Sequence, residues 1–391
     1  MRLYRFVVSF IVTATVTVLL LATGAFTAEK AGAGKYLAYV GSYTTGESKG
    51  IYAYRYDGGS GEMTSLGLAA ETTNPSFVAL DPAHHFLYAV NEVDKYEGKA
   101  SGGVSAFSVD AKTGKLTFLN EVASRGADPC YISLDKTGKY VLVANYTGGN
   151  VAVFPILPDG RLGEASGFVQ HTGTGPNHER QEGPHAHWIE VSSDNRFAVA
   201  ADLGLDELVV YRLDAAKGSL TANDPPFAKV EAGAGPRHFA FHPNGKFGYV
   251  VDEMKSTVNT LTWDANTGTL HSVQTISTLP ADFTGHNDTA ELEVHPNGKF
   301  VYASNRGRDS IVVYAVDAKK GTLKLVEDVP TQGKTPRSFE IDPTGKRLFV
   351  ANQESGNIVA FRIDAKSGRL TEGHEVLKVP APVCIKFVAA E

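Results

Sequence analysis

An internal repeat is the feature that most limits what this chain of 391 residues can fold into. Each copy begins with a turn residue, in most copies followed by proline, and continues as a short apolar run that ends in Asp, Glu or His. The copies begin at Asn74, Asp128, Gly183, Gly235, Asp288 and Thr335, and the proline position recurs every 46 to 55 residues. A fixed period of this length is typical of propellers and solenoids.

Each copy has the composition of β-structure. Val, Ile, Phe and Tyr alternate with Gly, Asn and Asp turns, and the order of segments indicates four short strands per copy. The chain ends supply a seventh copy, because residues 36–40 and 50–56 match second and third strands while residues 381–388 match a first strand. We therefore predict an all-β fold, a seven-bladed β-propeller of four-stranded blades. Pairing of the N- and C-terminal strands in one blade would close it and remove an open sheet edge.

The N-terminus has the layout of a secretory signal. Arg2 and Arg5 precede an apolar run over residues 6–22, and small residues follow. We predict a signal peptide over residues 1–28 with cleavage between 25 and 33, a propeller domain over 35–391, and export to the periplasm or beyond. An uncleaved anchor is the alternative, because the run exceeds the roughly 7 to 15 residues of a typical signal core.

The net charge limits the classes of binding partner, and the positions of the cysteines argue against a disulfide. The formal net charge is −6 and no Lys/Arg run is present, which argues against nucleic acid as a partner. Cys130 and Cys384 fall on innermost strands two blades apart, too far for the roughly 4.4 to 6.8 Å Cα separation of a disulfide, so both are predicted to be free. We expect a monomer that binds a small molecule, with no cofactor, no metal and no membrane contact beyond an uncleaved signal.

Comparison of the copies separates architecture from chemistry. The position after the proline holds Ser76, Cys130, His185, Arg237, Ala290, Arg337 and Val383, and two residues further on only His187 is polar. The second strands end in Asn or Asp, including Asn145, as expected of residues that bond a turn. The next position varies in charge from blade to blade, which indicates a ligand site; it holds Glu92, Tyr146, Leu203, Glu253, Arg306 and Gln353. The longest interruption of the repeat, residues 163–183, carries further polar groups.

Several of these motifs carry a resemblance. The run from His171 to His187, with Gly235-Pro-Arg237-His238, Ala290-Glu291, Asn305-Arg306-Gly307 and Asn352-Gln353, resembles the bacterial 6-phosphogluconolactonase family of seven-bladed propellers. The similarity runs from about Tyr36 to the end of the chain. It implies hydrolysis of a sugar δ-lactone, either 6-phosphogluconolactone or an unphosphorylated aldonolactone. Related fungal carboxy-cis,cis-muconate cyclases perform the reverse chemistry on a diacid.

The resemblance also implies site residues. The catalytic set would be His185 or His187, Arg237, Glu253 and Arg306 at the channel mouth. Candidates for substrate binding are His171, Arg180, His238, Glu291, Arg337, Asn145, Tyr146 and Gln353. Lactone hydrolysis needs a base for the attacking water and positive charge where the oxyanion forms, which His or Glu and Arg supply. Arg also binds carboxylate or phosphate in a bidentate fork.

Three other interpretations stay open. His185 and His187 could share a metal, although the sequence offers no evident third ligand. Arg237 and Arg306 could serve only as salt bridges between blades, in a propeller that binds a sugar or protein without catalysis. A lactone-forming cyclase would act on dicarboxylates instead. A serine-hydrolase mechanism is disfavoured because the chain lacks a G-x-S-x-G elbow.

Overall fold

The computed structural model describes residues 34–390, so the expected signal peptide lies outside the described residues. Its strands form seven four-stranded sheets and one two-stranded hairpin. The prediction of an all-β, seven-bladed propeller is confirmed. The described residues contain no helix long and apolar enough to cross a membrane.

The blades follow the chain in order, and in blades 2 to 7 the chain runs from the innermost to the outermost strand. Blade 1 contains β1 (Lys35–Ser42), β2 (Gly50–Asp57) and β3 (Met63–Glu71). Blade 2 contains β4 (Val78–Leu80), β5 (Phe86–Asn91), β8 (Gly103–Val109) and β9 (Leu116–Ala123), with the hairpin β6 (Lys95–Tyr96) and β7 (Lys99–Ala100) inserted between β5 and β8. Blade 3 contains β10 (Pro129–Leu134), β11 (Tyr140–Asn145), β12 (Asn150–Pro155) and β13 (Gly167–Gln170).

The remaining blades repeat this plan without insertions. Blade 4 contains β14 (Ala186–Val191), β15 (Phe197–Asp202), β16 (Glu207–Asp214) and β17 (Ser219–Lys229). Blade 5 contains β18 (Pro236–Phe241), β19 (Phe247–Asp252), β20 (Thr257–Asp264) and β21 (Thr269–Ser277). Blade 6 contains β22 (Asp288–Val294), β23 (Phe300–Arg306), β24 (Ser310–Val316) and β25 (Leu323–Pro330). Blade 7 contains β26 (Pro336–Ile341), β27 (Arg347–Asn352), β28 (Asn357–Ile363) and β29 (Leu370–Lys378), and the chain ends with β30 (Pro382–Ala389).

The C-terminal strand closes the ring. β30 pairs antiparallel with β1, so that Val40 lies opposite Ile385 and Leu37 lies opposite Val388. In the sheet order β3-β2-β1-β30, the last strand of the chain therefore takes the innermost place of blade 1. The predicted pairing of the two chain ends is confirmed.

Buried tyrosines tie several blades to the next blade in the ring. The Tyr249 hydroxyl donates to the Gly321 carbonyl at 2.8 Å, and the Tyr302 hydroxyl donates to the Gly368 carbonyl at 2.9 Å. Both acceptors are left-handed glycines that complete the Asp-x-x-x-Gly-x-Leu turn of the following blade; Gly321 has φ 73° and its N–H donates to the Asp317 carbonyl. The repeated Asp-x-x-x-Gly-x-Leu motif therefore forms a turn.

The column of Asn and Asp at the ends of the second strands is structural. Where the residue is Asn, its side-chain amide donates to a carbonyl of the segment that arrives from the preceding blade. Asn91 Nδ2 reaches Thr73 O at 2.6 Å and Asn305 Nδ2 reaches Thr278 O at 3.1 Å. These bonds hold the loops that carry the first residues of the innermost strands, and those residues surround the central channel.

A layer of rings crosses the channel part-way down. The side chains come from successive innermost strands: Tyr131 lies 4.3 Å from Phe77, 5.6 Å from Trp188 and 5.2 Å from His238 between ring centroids. Below this layer three carboxylates and one amine face the other end of the channel. These are Glu190, Glu293, Glu340 and Lys386.

The two cysteines are free and buried. Cys130 lies on the innermost strand of blade 3 and Cys384 on that of blade 1. The prediction that they do not form a disulfide is confirmed.

Candidate active site

Six blades contribute to one polar cavity at the mouth of the channel. The cavity has a volume of about 270 Å³. Its walls come from the first residues of innermost strands, from the ends of second strands and from the long loop before blade 4. The lining residues are Glu92, Cys130, Tyr146, Arg180, His187, Glu253, Asp288, Arg306 and Arg337.

The strand registers show which histidine belongs to the channel. In blade 5 Pro236 lies opposite Asp252, whereas in blade 4 the residue opposite Asp202 is Ala186. His187, and not His185, is therefore the counterpart of Arg237. The sequence comparison had aligned His185 with Arg237, which is wrong by two residues. The reason is that the turn before β14 is two residues longer than the turns before the other innermost strands. The corrected ring has one residue per blade, namely Ser76, Cys130, His187, Arg237, Ala290, Arg337 and Val383.

A buried carboxylate gathers three arginines at the cavity wall. Glu253 Oε1 lies 2.6 Å from Arg180 Nη2, and Glu253 Oε2 lies 2.9 Å from both Arg237 Nε and Arg306 Nη2. The Nε–H of Arg237 does not point at this oxygen, so that contact is an ion pair without a hydrogen bond. Burial would raise the pKa of Glu253, but Arg306, Arg237 and Arg180 outweigh it and lower the pKa to about 2. Glu253 is therefore an anion at neutral pH.

Backbone carbonyls fix the same guanidinium groups from the other side. Arg237 Nη1 donates to Ala290 O at 2.7 Å and Arg306 Nη2 donates to Thr289 O at 2.9 Å. Burial and the neighbouring positive charges of Arg306 and Arg337 lower the pKa of Arg237 to about 10, which leaves it protonated at neutral pH. The Nε of Arg306 is buried without a protein partner. The site thus holds rigid cations and a donor that no protein group uses.

A fourth arginine completes the positive wall. The Arg337 guanidinium lies 5.3 Å above the centre of the Tyr43 ring, and its Nη2 lies 4.0 Å from Glu92 Oε1. The Tyr43 hydroxyl donates to the Glu92 carboxylate at 2.9 Å. Tyr43 was not among the predicted site residues. Tyr43 directly follows β1, the second strand of blade 1, just as Tyr146 and Glu253 directly follow the second strands of blades 3 and 5. Comparison of this position in blade 1 as well would have identified Tyr43.

His187 is a buried imidazole between the arginines and the ring layer. Its ring lies 5.6 Å from Tyr146 and 5.2 Å from His238 between centroids. Burial, and then the positive charge of Arg237, hold the pKa of His187 well below its ordinary value. At neutral pH the side chain is therefore uncharged and can accept a proton.

His185 has a different environment. Its ring stacks on Tyr146 at 4.5 Å, its Nδ1 lies 3.1 Å from Tyr146 O and its Nε2 lies 3.3 Å from Glu182 Oε1. It is not part of the cavity wall. Among residues 34–390, no group of three or more His, Cys, Asp or Glu side chains is placed to hold a metal ion.

The geometry agrees with what comparison with known proteins shows. The family model described as lactonase, 7-bladed beta-propeller, matches residues 37–387. The chain belongs to this lactonase family. It is 41% identical over 355 residues to a 6-phosphogluconolactonase of Bacillus subtilis, covering 90% of this chain and 99% of that one. The lactonase is also similar to the solved structure of a Pseudomonas aeruginosa periplasmic gluconolactonase, with a TM-score of 0.86, 34% identity and coverage of 91% and 100%.

Family membership makes the chain an enzyme that hydrolyses a cyclic ester. A 6-phosphogluconolactonase of Formosa agariphila is a further relative, 34% identical over 311 residues, with 77% of this chain and 85% of that one covered. The family description names the reaction class, and the arginine and histidine groups of the cavity suit that class.

The lactonase does not bring every predicted binding residue into the cavity. Arg180, Tyr146 and Arg337 line it, together with Asp288, which sequence reasoning missed. His238 and Glu291 lie below it, in a smaller cavity.

Three predicted residues lie elsewhere. His171 Nδ1 lies 2.5 Å from the buried Asp202 and its Nε2 contacts the Tyr211 hydroxyl, so it joins the loop to blade 4. Asn145 donates to Ser124 O as part of the structural column. Gln353 is half-buried and is not among the lining residues.

Proposed function

We propose that this lactonase hydrolyses a sugar δ-lactone in the 270 Å³ cavity, with His187 as the general base. The observation that carries the proposal is the pairing, on one cavity wall, of an uncharged imidazole with guanidinium groups that Glu253 holds in place. Acyl transfer to water needs both a proton acceptor and fixed positive charge.

The residues would divide the reaction between them. A water attacks the lactone carbonyl carbon and gives its proton to His187, while the carbonyl π electrons move to oxygen. Arg306, which lines the cavity, stabilises that oxyanion, and the buried charge of Arg237 adds to the positive potential from the smaller cavity below. When the carbonyl re-forms, the bond from carbon to the ring oxygen breaks, and the proton held by His187 passes to that oxygen. The product is the open hydroxy acid, and His187 is uncharged again.

Glu253 has a supporting role in this scheme. With its pKa lowered to about 2 it is an anion at neutral pH. Its two oxygens are already committed to three arginines. We therefore assign it to positioning of the guanidinium groups, and His187 to the proton transfer.

The lining also favours a polyhydroxylated substrate. The Tyr146 hydroxyl and the Glu92 and Asp288 carboxylates can bond to sugar hydroxyls, and Arg337 can bind an anionic group such as a 6-phosphate. The names of the relatives, 6-phosphogluconolactonase and periplasmic gluconolactonase, give the two substrates to compare.

We further infer that the enzyme acts outside the cytoplasm. The support is the Arg2 and Arg5 pair before the apolar run at residues 6–22, with the similarity to a periplasmic gluconolactonase. Cell fractionation with mass measurement of the mature N-terminus tests this. Export predicts a chain that begins between residues 26 and 34 and is found outside the cytoplasm; an intact cytoplasmic chain would contradict it.

The decisive assay uses the purified protein with glucono-δ-lactone and with its 6-phosphate, after subtraction of spontaneous ring opening. We expect hydrolysis above background on at least one of them, and a loss of at least about 100-fold for His187→Asn. His271→Ala, an exposed histidine on the outermost strand of blade 5, is the matched control and should keep full activity. Folded protein that hydrolyses neither lactone would refute the proposed substrate class, and full activity of His187→Asn would refute the base assignment.

A further inference from the structure

A second, much smaller cavity lies between the ring that contains His187 and the aromatic layer below it. Its volume is about 10 Å³. Four of the side chains around it have a buried polar atom without a hydrogen-bond partner: Ser76 Oγ, His187 Nδ1, Arg237 Nε and His238 Nε2. Buried polar atoms in folded proteins nearly always have a partner, so four such atoms around one small space require an explanation.

The dimensions suit one water molecule. A buried water needs a cavity of roughly 10 to 15 Å³ and makes about three hydrogen bonds to groups that otherwise lack partners. The cavity provides that volume, and Ser76 Oγ, His187 Nδ1 and His238 Nε2 provide that number of partners, while Arg237 Nε can donate a fourth hydrogen bond to the water oxygen. An ordered water would remove the cost of leaving these atoms unsatisfied.

We propose that a single water fills this cavity and links His187 Nδ1 to His238 Nε2, so that His238 and Glu291 position the proton of His187. The inference rests on the proposed function of His187 as the base. Neither His238 nor Glu291 touches the substrate cavity, so both are positioning residues.

The hydrogen bonds below the water have a defined direction. His238 Nδ1 lies 2.7 Å from Glu291 Oε1, and Glu291 also accepts hydrogen bonds from Leu292 N and Ser338 Oγ. Burial would raise the pKa of Glu291, but His238 and Lys386 outweigh it and hold the pKa below its ordinary value. Glu291 is therefore a carboxylate, His238 donates its Nδ1 proton to it, and His238 Nε2 accepts a hydrogen from the water.

The same direction continues to His187. A chain of hydrogen bonds that runs towards an anion is mutually reinforcing, so the water oxygen accepts the Nδ1 proton of His187. The Ser76 hydroxyl takes the remaining hydrogen of the water. His187 then carries its proton on Nδ1 and has a lone pair on Nε2. Nε2 is then the ring nitrogen left to accept a proton from the attacking water.

The Glu291 carboxylate, at the end of this series of hydrogen bonds, also matters after His187 has accepted a proton. Arg237, Arg337 and His238 face His187 and lower its pKa, so an imidazolium there needs compensation. Burial raises the pKa of both Tyr146 and Cys130, which leaves these two neighbours uncharged at neutral pH. The Glu291 charge, transmitted through His238 and the water, supplies that compensation.

The tautomer of His187 can be measured without any substrate. Nitrogen NMR of the full chain labelled with 15N-histidine distinguishes a protonated Nδ1 from a protonated Nε2, and the His187 signals are those that disappear in His187→Asn. We expect the Nδ1–H form. An Nε2–H form in the folded wild type would overturn the inference, whether or not the protein hydrolyses a sugar lactone.

Kinetics tests the positioning role on whichever lactone is hydrolysed. Glu291→Gln keeps the shape but removes the charge, so kcat should fall about tenfold or more, KM should change less than twofold, and the acid limb of the kcat profile should move to lower pH. Glu293→Gln, two residues along the same strand and below the ring layer, is the matched control and should leave the profile in place. A folded Glu291→Gln variant with wild-type kcat and an unmoved acid limb would overturn the inference.

Discussion

Arg306 and Glu253 meet at 2.9 Å across the boundary between blades 5 and 6. The same carboxylate oxygen lies 2.9 Å from Arg237 Nε within blade 5. One buried anion therefore sets the distance between two cations that would otherwise repel each other. The cost of burying these charges is met by ion pairs and by backbone carbonyls, which is the condition under which a buried charge cluster is stable.

Loss of Arg306 should abolish most of the activity and leave the propeller folded. Removal of one donor from an oxyanion site costs roughly 100- to 1,000-fold in kcat, and Arg306→Ala removes such a donor. Arg308→Ala is the matched control, because Arg308 pairs with Asp328 at the surface. The measurement is kcat/KM with circular dichroism on both variants. Equal activities of the two variants would contradict the role of Arg306.

Glu253 should make stability depend on pH in the acid range. Its pKa is lowered to about 2 in the folded protein, so its contribution is present above the unfolded pKa of about 4.3 and is lost as pH falls towards 2. A shift of this size corresponds to about 3 kcal/mol. Denaturant unfolding between pH 2 and 6 should show this loss in the wild type, and Glu253→Gln should lack that part of the slope. Parallel curves for the two proteins would count against the ion-pair cluster.

Closure of the ring should be sensitive to a single buried position in β30. Val388 is 3% exposed and packs in the core opposite Leu37, whereas the next residue, Ala389, is exposed. Val388→Asp buries an unpaired charge and should lower the free energy of unfolding by roughly 3 to 5 kcal/mol, while Ala389→Asp should change it by less than about 0.5 kcal/mol. Deletion of residues 382–391 should be more damaging still. Thermal and denaturant unfolding of the three variants checks the order.

The two thiols should be inert in the folded protein. Burial raises the pKa of Cys130 and raises that of Cys384 to about 12, so neither forms a thiolate at neutral pH. A thiol reagent such as a disulfide dye should label neither residue in native buffer and both residues in denaturant. Fast labelling of the native protein would contradict this expectation.

The repeat made the architecture predictable to a large extent. Four strands per copy, the match of residues 381–388 to a missing first strand and the free cysteines all follow from a period that the chain keeps over seven units. Every blade must bury the same two faces against its neighbours, so the apolar residues recur at the same positions in every copy. The sequence repeat therefore reports the packing of the blades directly.

The site was less predictable, because it lies where the repeat is irregular. The turn before β14 contains two extra residues, so His185 was matched to Arg237 although His187 is its structural counterpart. The motif that includes His171 marked a loop whose histidine bonds Asp202 and Tyr211 inside the fold. Sequence spacing cannot distinguish a polar residue that holds a loop from one that faces the cavity, since both interrupt the pattern in the same way.

The layer of Phe77, Tyr131, Trp188 and His238 lies between the candidate active-site cavity and the other end of the channel. In the proposed reaction, substrate and product would then use the same opening. Ring opening would create a carboxylate beside the three arginines that line the cavity, Arg180, Arg306 and Arg337, so the product would be held more strongly than a neutral lactone. Turnover at low ionic strength should accordingly be limited by escape of the acid, and added salt should hasten it.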